Sequence, residues 1–208
     1  MVNVNGLNNI LVWDSQLKYL EIFCYVGTAT ICGNNIIDET IYKYQSPNAD
    51  VHHLVKYTYT KMLGELLLYK YLSKEKILVV RLSIIMSDSR GILPRSFVIM
   101  WAFAVANKLR LVPVNPNKKI DIIPIDFAVK AIISLLMSKR NYNIYHISAG
   151  EQLSYPIANI LNTIEKNISE LPAFKFVDIE NIKIIKLWAR NHHINGELNN
   201  CKDYFEYW

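Results

Sequence analysis

Tyr57 and Lys61, four positions apart, are the pair whose side chains could perform acid–base chemistry. On a helix this spacing places both side chains on one face, one turn apart. A free tyrosine has a pKa of about 10 and gives up its proton poorly at neutral pH. A neighbouring ammonium group stabilises the phenolate and lowers that pKa. The pair could therefore serve as a general acid or base on a carbonyl or an alcohol.

Thr28 is the third residue placed to take part in this chemistry. It follows a short apolar run, residues 22–26, and Gly27, a pattern that predicts a buried parallel strand. Ligands of parallel α/β sheets bind in the crevice at the carboxyl ends of the strands. The hydroxyl of Thr28 is therefore placed to hold the substrate oxygen on which Tyr57 would act.

The Tyr-x-x-x-Lys spacing alone is weak evidence, because 13 of the 208 residues are tyrosine and chance matches are expected. An exposed helical pair without a function is the alternative interpretation. Tyr59 and Tyr69 lie on the same predicted helix, and neither has a lysine four residues on. The ordered set of strand, Gly-Thr turn, loop and Tyr/Lys helix favours the functional interpretation.

The elements that must position these residues alternate between helix and strand. Helices are predicted over residues 3–20, 54–72, 96–108 and 126–137 and from 154 onward, and strands over 22–26, 77–82 and 143–147. Asp126 and Ser154 are expected to cap the helices that they begin. This alternation predicts an α/β fold with a parallel sheet covered on both faces.

The composition bounds the class of protein. An apolar fraction of 51% with 20% charged residues is typical of a globular domain. The net charge of +5 is spread along the chain, which disfavours nucleic-acid binding. The longest unbroken apolar run, residues 97–106, falls short of the roughly 20 residues that a membrane span needs. Because no cysteine or histidine spacing suits a metal and the start lacks a signal-peptide pattern, we expect a metal-free cytoplasmic protein.

Four segments match patterns of one known superfamily. They are Asn3-Val4-Asn5-Gly6 with Asn9-Ile10-Leu11, Val26-Gly27-Thr28-Ala29, Tyr57-Thr58-Tyr59-Thr60-Lys61 with Glu65, and Asp121-Ile122-Ile123-Pro124-Ile125-Asp126. With them the chain resembles the extended short-chain dehydrogenases/reductases. Within these it is most similar to the acyl-reducing branch, the fatty acyl-CoA reductases of the male sterility type and the thioester reductase domains.

The resemblance implies a role for each candidate catalytic residue. Tyr57 would donate a proton to the carbonyl oxygen, Lys61 would lower the pKa of Tyr57, and Thr28 would orient the substrate oxygen. Asn3 matches the position of a helix asparagine that supports the active-site lysine in many relatives.

The resemblance also implies a nicotinamide cofactor, NADP with NAD as the alternative. Tyr57 and Lys61 would contact it, the lysine through the nicotinamide ribose. Leu82, Ser83 and Ile84 lie in a segment similar to the family's Arg-Pro-Ser strand end, whose backbone meets the nicotinamide. Leu82 stands here in place of the proline.

The implied fold is the C-terminal part of a Rossmann-like doubly wound parallel sheet with a small helical C-terminal extension. Residues 1–150 would form a partial NAD(P)-binding domain, and residues 151–208 a helical, aromatic-rich lid or tail. The family's Gly-x-x-Gly-x-x-Gly turn, which seats the pyrophosphate on a helix N-terminus, has no counterpart among the seven glycines. We therefore expect a complementing N-terminal half as partner. The resemblance implies a homodimer as the alternative, because the active-site helix often forms a dimer face in this superfamily.

The function implied is NAD(P)H-dependent reduction of an acyl thioester, bound to coenzyme A or to a carrier, to an aldehyde or an alcohol. Two alternatives stay open. One is a sugar-nucleotide epimerase or dehydratase on the same scaffold. The other is an inactive fragment or a binding module, which the missing glycine turn favours.

Overall fold

The computed structural model describes two compact units of the chain. Their ranges are residues 1–85 with 123–148, and residues 86–122 with 149–208. The residues described within them are 2–14, 16–33, 47–53, 55–90, 103–104, 106–167 and 171–178. The predicted division at residue 150 stays a prediction. The segment 91–102 and the aromatic tail beyond residue 178 lie outside the described residues.

Helices and short strands alternate along the chain. The helices are α1 (Val2–Asp14), α2 (Lys56–Tyr71), α3 (Ile125–Met137), α4 (Gly150–Leu153) and α5 (Ile157–Asn167), with 3-10 turns at Ala29–Cys32 and Lys74–Lys76. The strands are β1 (Phe23–Thr28), β2 (Ile77–Leu82), β3 (Ile84–Ile85), β4 (Leu111–Val112), β5 (Lys119–Ile120), β6 (Ile122–Ile123), β7 (Ile144–Ile147), β8 (Tyr155–Pro156) and β9 (Lys175–Phe176). Residues 103–104 and 106–109 are also helical.

Three parallel strands form the sheet of the first unit, in the order β1-β2-β7. Phe23 pairs with Ile77 and Thr28 with Leu82, so the carboxyl ends of β1 and β2 lie side by side. On the other side of β2, Leu82 pairs with Ile147. All six residues of β2 are buried, as expected of a central parallel strand that is covered on both faces.

Helices α1 and α2 are joined to this sheet by an apolar core. Its buried members are Leu11, Leu68, Leu72, Ile77 and Val79. Full burial of one leucine contributes about 1.5–3 kcal/mol relative to leaving it exposed. Helix α2 begins after Val55 without a side-chain cap, so its position depends on this packing rather than on its termini.

The second unit has a core of its own. Its buried members are Phe103, Ala106, Val112, Ile157 and Leu161. Strand β4 pairs with β9 in parallel and β5 with β8 antiparallel. The Asp121 carboxylate accepts hydrogen bonds from the backbone nitrogens of Ala149 (2.9 Å) and Gly150 (3.1 Å). Within the described part of the chain, no helix has the length and apolar character needed to cross a membrane.

The predicted α/β class with a parallel sheet is confirmed. Strand β2 has the predicted bounds, and β1 extends to Thr28, which is therefore the last residue of the strand. Two predicted helix caps were wrong. Pro124, in extended conformation, is the N-cap of α3, so Asp126 lies in the first turn. Ser154 ends α4 and donates to the Gly150 carbonyl at 2.7 Å, because β8 pairs with β5 before α5 begins.

Gly64 of α2 leaves room for the Tyr25 side chain. A Cβ atom there would collide with the Tyr25 hydroxyl and lie 3.1 Å from Leu7 Cδ2. The Gly64→Ala substitution should therefore lower the free energy of unfolding by about 1–3 kcal/mol, the usual cost of overpacking. Urea denaturation measures this change.

Gly6→Ala is the matched control, because a Cβ on Gly6 of α1 would meet nothing within 4 Å. It should raise the free energy of unfolding by up to about 1 kcal/mol, since alanine favours the helix over glycine. Equal effects of the two substitutions would contradict the close approach at Gly64.

Candidate functional site

The carboxyl ends of β1 and β2 define the candidate site. Thr28 ends β1 and pairs with Leu82, which ends β2. Ser83 and Ile84 follow at once, and the Ser83 backbone nitrogen donates to the Ile147 carbonyl at 3.0 Å. The structure thus brings Thr28, the predicted substrate contact, next to residues 82–84, the predicted cofactor contacts.

Lys61 connects α2 to β1, the strand that carries Thr28. Its Nζ donates to the Val26 carbonyl at 2.9 Å. The same Nζ lies 5.9 Å from the centroid of the Tyr57 ring, one helical turn earlier. Tyr57 is 53% exposed, so a ligand from solvent can reach its ring. The structure therefore brings the predicted Tyr/Lys pair together on one face of α2, with the lysine anchored on β1.

Tyr25 of β1 is a second aromatic neighbour of Lys61. Its ring centroid lies 5.5 Å from Lys61 Nζ, and its hydroxyl donates to the Lys61 backbone carbonyl at 2.9 Å. Burial raises the pKa of Tyr25, and the negative charge of Glu65 raises it further, so Tyr25 keeps its proton. Burial lowers the pKa of Lys61. The two tyrosines near Lys61 therefore have different surroundings. Tyr25 is bonded to the Lys61 backbone, and Tyr57 is exposed to solvent.

The Thr28 hydroxyl is oriented by its neighbour Thr30. Thr28 Oγ1 accepts a hydrogen bond from the Thr30 backbone nitrogen at 3.4 Å and lies 3.0 Å from Thr30 Oγ1. If the Thr30 hydroxyl is the donor in that second contact, the proton of Thr28 is left to point elsewhere. Thr28 can then donate to a substrate oxygen.

Sequence reasoning missed a buried ion pair between α2 and β2. Arg81 Nη2 donates to Glu65 Oε1 at 2.6 Å and Arg81 Nε to Glu65 Oε2 at 3.2 Å, and both side chains are fully buried. Arg81 Nη1 lies 3.3 Å from Nε2 of His146 on β7. The signal was present in the sequence, because an arginine within the apolar run Ile-Leu-Val-Val-Arg-Leu requires a buried partner.

Asn3 of α1 contacts α2 at Thr60, the residue before Lys61. Its Nδ2 donates to Thr60 Oγ1 at 3.3 Å. The Thr60 hydroxyl in turn donates to the Tyr57 carbonyl at 2.9 Å. The asparagine therefore supports the backbone of the helix turn that carries both Tyr57 and Lys61.

The parallel sheet places this chain in the α/β class, in which ligands bind at the carboxyl ends of the strands. The model of an NAD-binding family described as "male sterility protein" matches residues 1–132, more than half of the chain. The chain belongs to this family, and the resemblance seen in its sequence is confirmed. A comparison with curated protein sequences gave no match.

Solved structures share the Rossmann-like fold of the chain. The terminal R domain from the myxalamid PKS-NRPS biosynthetic pathway is 14% identical with a TM-score of 0.74, over 99% of this chain and 50% of that one. A thiolation-reductase di-domain from an archaeal non-ribosomal peptide synthetase is 16% identical with a TM-score of 0.65, over 98% and 53%. UDP-glucuronic acid 4-epimerase from Bacillus cereus, in complex with UDP-glucuronic acid and NAD, is 19% identical with a TM-score of 0.61, over 85% and 54%. The chain thus spans about half the length of these structures.

Removing one member of the Glu65–Arg81 pair should be costly. Arg81→Met leaves the Glu65 carboxylate buried and uncompensated, and should lower the free energy of unfolding by about 3–5 kcal/mol. The double variant Glu65→Leu with Arg81→Met should recover most of that loss, because neither charge is then buried. Urea denaturation at neutral pH checks both values, and a double variant as unstable as the single one would contradict this account.

Proposed function

We propose that the chain carries the catalytic residues of an NAD(P)H-dependent reductase that converts an acyl thioester to an aldehyde or an alcohol. The observation that supports this most directly is the position of Lys61. It is bonded to the strand that ends in Thr28 and lies one turn from Tyr57. The fold shared with two reductase domains of carrier-dependent synthetases supports a thioester as the substrate.

The strand ends fit the nicotinamide end of the cofactor. The Ser83 hydroxyl oxygen is buried and has no hydrogen-bond partner among the described residues, which is costly unless a ligand supplies one. We propose that Ser83, the backbone of Leu82 and Ile84, and the side chains of Lys61 and Tyr57 hold the nicotinamide and its ribose. When bound, the reduced nicotinamide supplies hydride to the carbonyl carbon. We propose NADP as this cofactor, with NAD as the alternative.

Thr28, Tyr57 and Lys61 would bind the carbonyl oxygen of the substrate and supply its proton. Thr28 donates a hydrogen bond to the thioester carbonyl oxygen and fixes its direction. Tyr57 donates its proton to that oxygen as the carbonyl carbon gains hydride. The nearby ammonium of Lys61 stabilises the phenolate that remains. The resulting hemithioacetal loses its thiol by cleavage of the C–S bond and gives the aldehyde, which a second reduction would convert to the alcohol.

Two rival functions rest on specific observations. The fold shared with the Bacillus cereus epimerase supports a reaction on a nucleotide sugar. The lack of a glycine turn among the seven glycines supports an inactive chain or a binding module. A complementing N-terminal half, a homodimer and a cytoplasmic location stay predictions.

Tyr57→Phe should lower kcat for acyl-CoA reduction by about a hundredfold or more, because the general acid is lost. The assay follows the oxidation of NADPH and NADH with acyl-CoA and, separately, the conversion of UDP-glucuronic acid. It is run on the 208-residue chain and on any longer polypeptide that the same reading frame encodes. Tyr69→Phe, on the same helix, is the matched control and should retain full activity. Undiminished activity of Tyr57→Phe would remove the tyrosine from the mechanism, and turnover of the nucleotide sugar alone would favour the epimerase.

Thr28→Ala should lower kcat by about a hundredfold, the usual effect of losing one donor to a developing oxyanion. Thr28→Ser retains the hydroxyl and should keep most of the activity. The same steady-state assay compares the two variants. If Thr28→Ser lost as much activity as Thr28→Ala, activity would depend on the methyl group of Thr28 and not on its hydroxyl.

A further inference from the structure

Arg110 is a buried cation in the second unit with no hydrogen-bond partner for its side chain among the described residues. The residue is 7% exposed. All three nitrogens of its guanidinium group are buried, and none of them has a hydrogen-bond partner in the described part of the chain. A guanidinium group stays charged at any physiological pH. A buried charge is strongly unfavourable unless it is paired, so this arrangement is incomplete without an anion.

The Arg110 backbone is held in an unusual conformation. Its φ is 55°, a left-handed value that non-glycine residues rarely adopt. The Arg110 nitrogen donates to the Ala106 carbonyl at 2.8 Å, and the Arg110 carbonyl accepts from the Lys175 nitrogen at 2.8 Å. Two backbone hydrogen bonds therefore fix the residue in place and offset the strain.

An aromatic ring packs against the guanidinium group. Arg110 Cζ lies 4.5 Å from the centroid of the Phe174 ring, within the range of a cation–π contact. The N–H groups of the guanidinium group have no acceptor among the described residues. They form a fork of parallel donors that matches two oxygens of a carboxylate or a phosphate.

Two acidic side chains of the second unit accept hydrogen bonds from backbone nitrogens rather than from Arg110. The Glu165 carboxylate accepts a hydrogen bond from the Phe174 backbone nitrogen. The Asp121 carboxylate accepts from the backbone nitrogens of Ala149 and Gly150.

We propose that Arg110 is the centre of an oxyanion-binding site in the second unit. Its ligand carries a group with at least two anionic oxygens, a phosphate ester or a carboxylate, which the guanidinium fork binds in bidentate fashion. Phe174 packs against the guanidinium group. The site is independent of the Tyr57 chemistry, and no bond is made or broken in it.

The test measures thermal unfolding of the 208-residue chain in increasing inorganic phosphate, acetate or chloride at equal ionic strength. Phosphate or acetate should raise the Tm, because a ligand that binds only the folded state stabilises it, and chloride should not. The oxyanion that acts at the lower concentration identifies the class of ligand. Arg110→Gln should weaken the response by about tenfold or more, since a charge-assisted bidentate contact is lost.

Lys166→Gln is the matched control, an exposed residue of α5 in the same unit whose substitution makes the same change in charge. It should respond as the unsubstituted chain does. Without added oxyanion, Arg110→Gln should unfold at the same Tm as the unsubstituted chain or a higher one, because an unpaired buried charge has been removed. If Arg110→Gln does not fold, Arg110→Lys keeps the charge without the fork and should still weaken binding several-fold. An unchanged response in either Arg110 variant, or no greater response to phosphate and acetate than to chloride, would overturn the proposal.

Discussion

Two fully buried charges, Glu65 on α2 and Arg81 on β2, set the position of α2 on the sheet. Such a pair contributes little net stability, because the cost of removing both charges from water offsets their attraction. Its effect is on geometry: the bidentate contact tolerates little displacement of α2 relative to β2. Lys61 lies one helical turn before Glu65, and Tyr57 one turn before that. The restraint that satisfies the ion pair therefore also fixes the face of α2 that carries Tyr57 and Lys61.

Around this restraint, β1 contributes the contacts that orient the lysine. The Val26 carbonyl accepts from Lys61 Nζ, and the Tyr25 hydroxyl bonds to the Lys61 carbonyl. Tyr25 can lie so close only because position 64 has no side chain. Both the charged end and the backbone of Lys61 are thus bonded to one strand. The ammonium stays near Tyr57 and near the end of β1, where Thr28 is found.

The sequence predicted those parts of the fold that local patterns determine. The apolar run of β2 predicted both ends of the strand correctly. The uninterrupted helical pattern of α2 predicted each end of that helix to within two residues. The spacing of Tyr57 and Lys61 predicted their shared face. Contacts between distant segments could not be predicted in this way. The sequence showed that a buried Arg81 needs an acidic partner, but not that this partner is Glu65, 16 residues away. The prediction that Ser154 caps a helix was wrong, because β8 pairs with β5, a strand distant in sequence. The helix therefore begins only at Ile157.

The ion pair also has an evolutionary consequence. Loss of either charge alone leaves the other one buried, which should remove about 3–5 kcal/mol from a stability that is about 5–15 kcal/mol in typical proteins. We therefore expect positions 65 and 81 to change together rather than one at a time. A descendant of this protein that had lost Tyr57 would meet the same constraint, since loss of one charge alone destabilises the fold whether or not the chain is catalytic. Among relatives, the pair would mark common ancestry, and the tyrosine and threonine would mark retained activity.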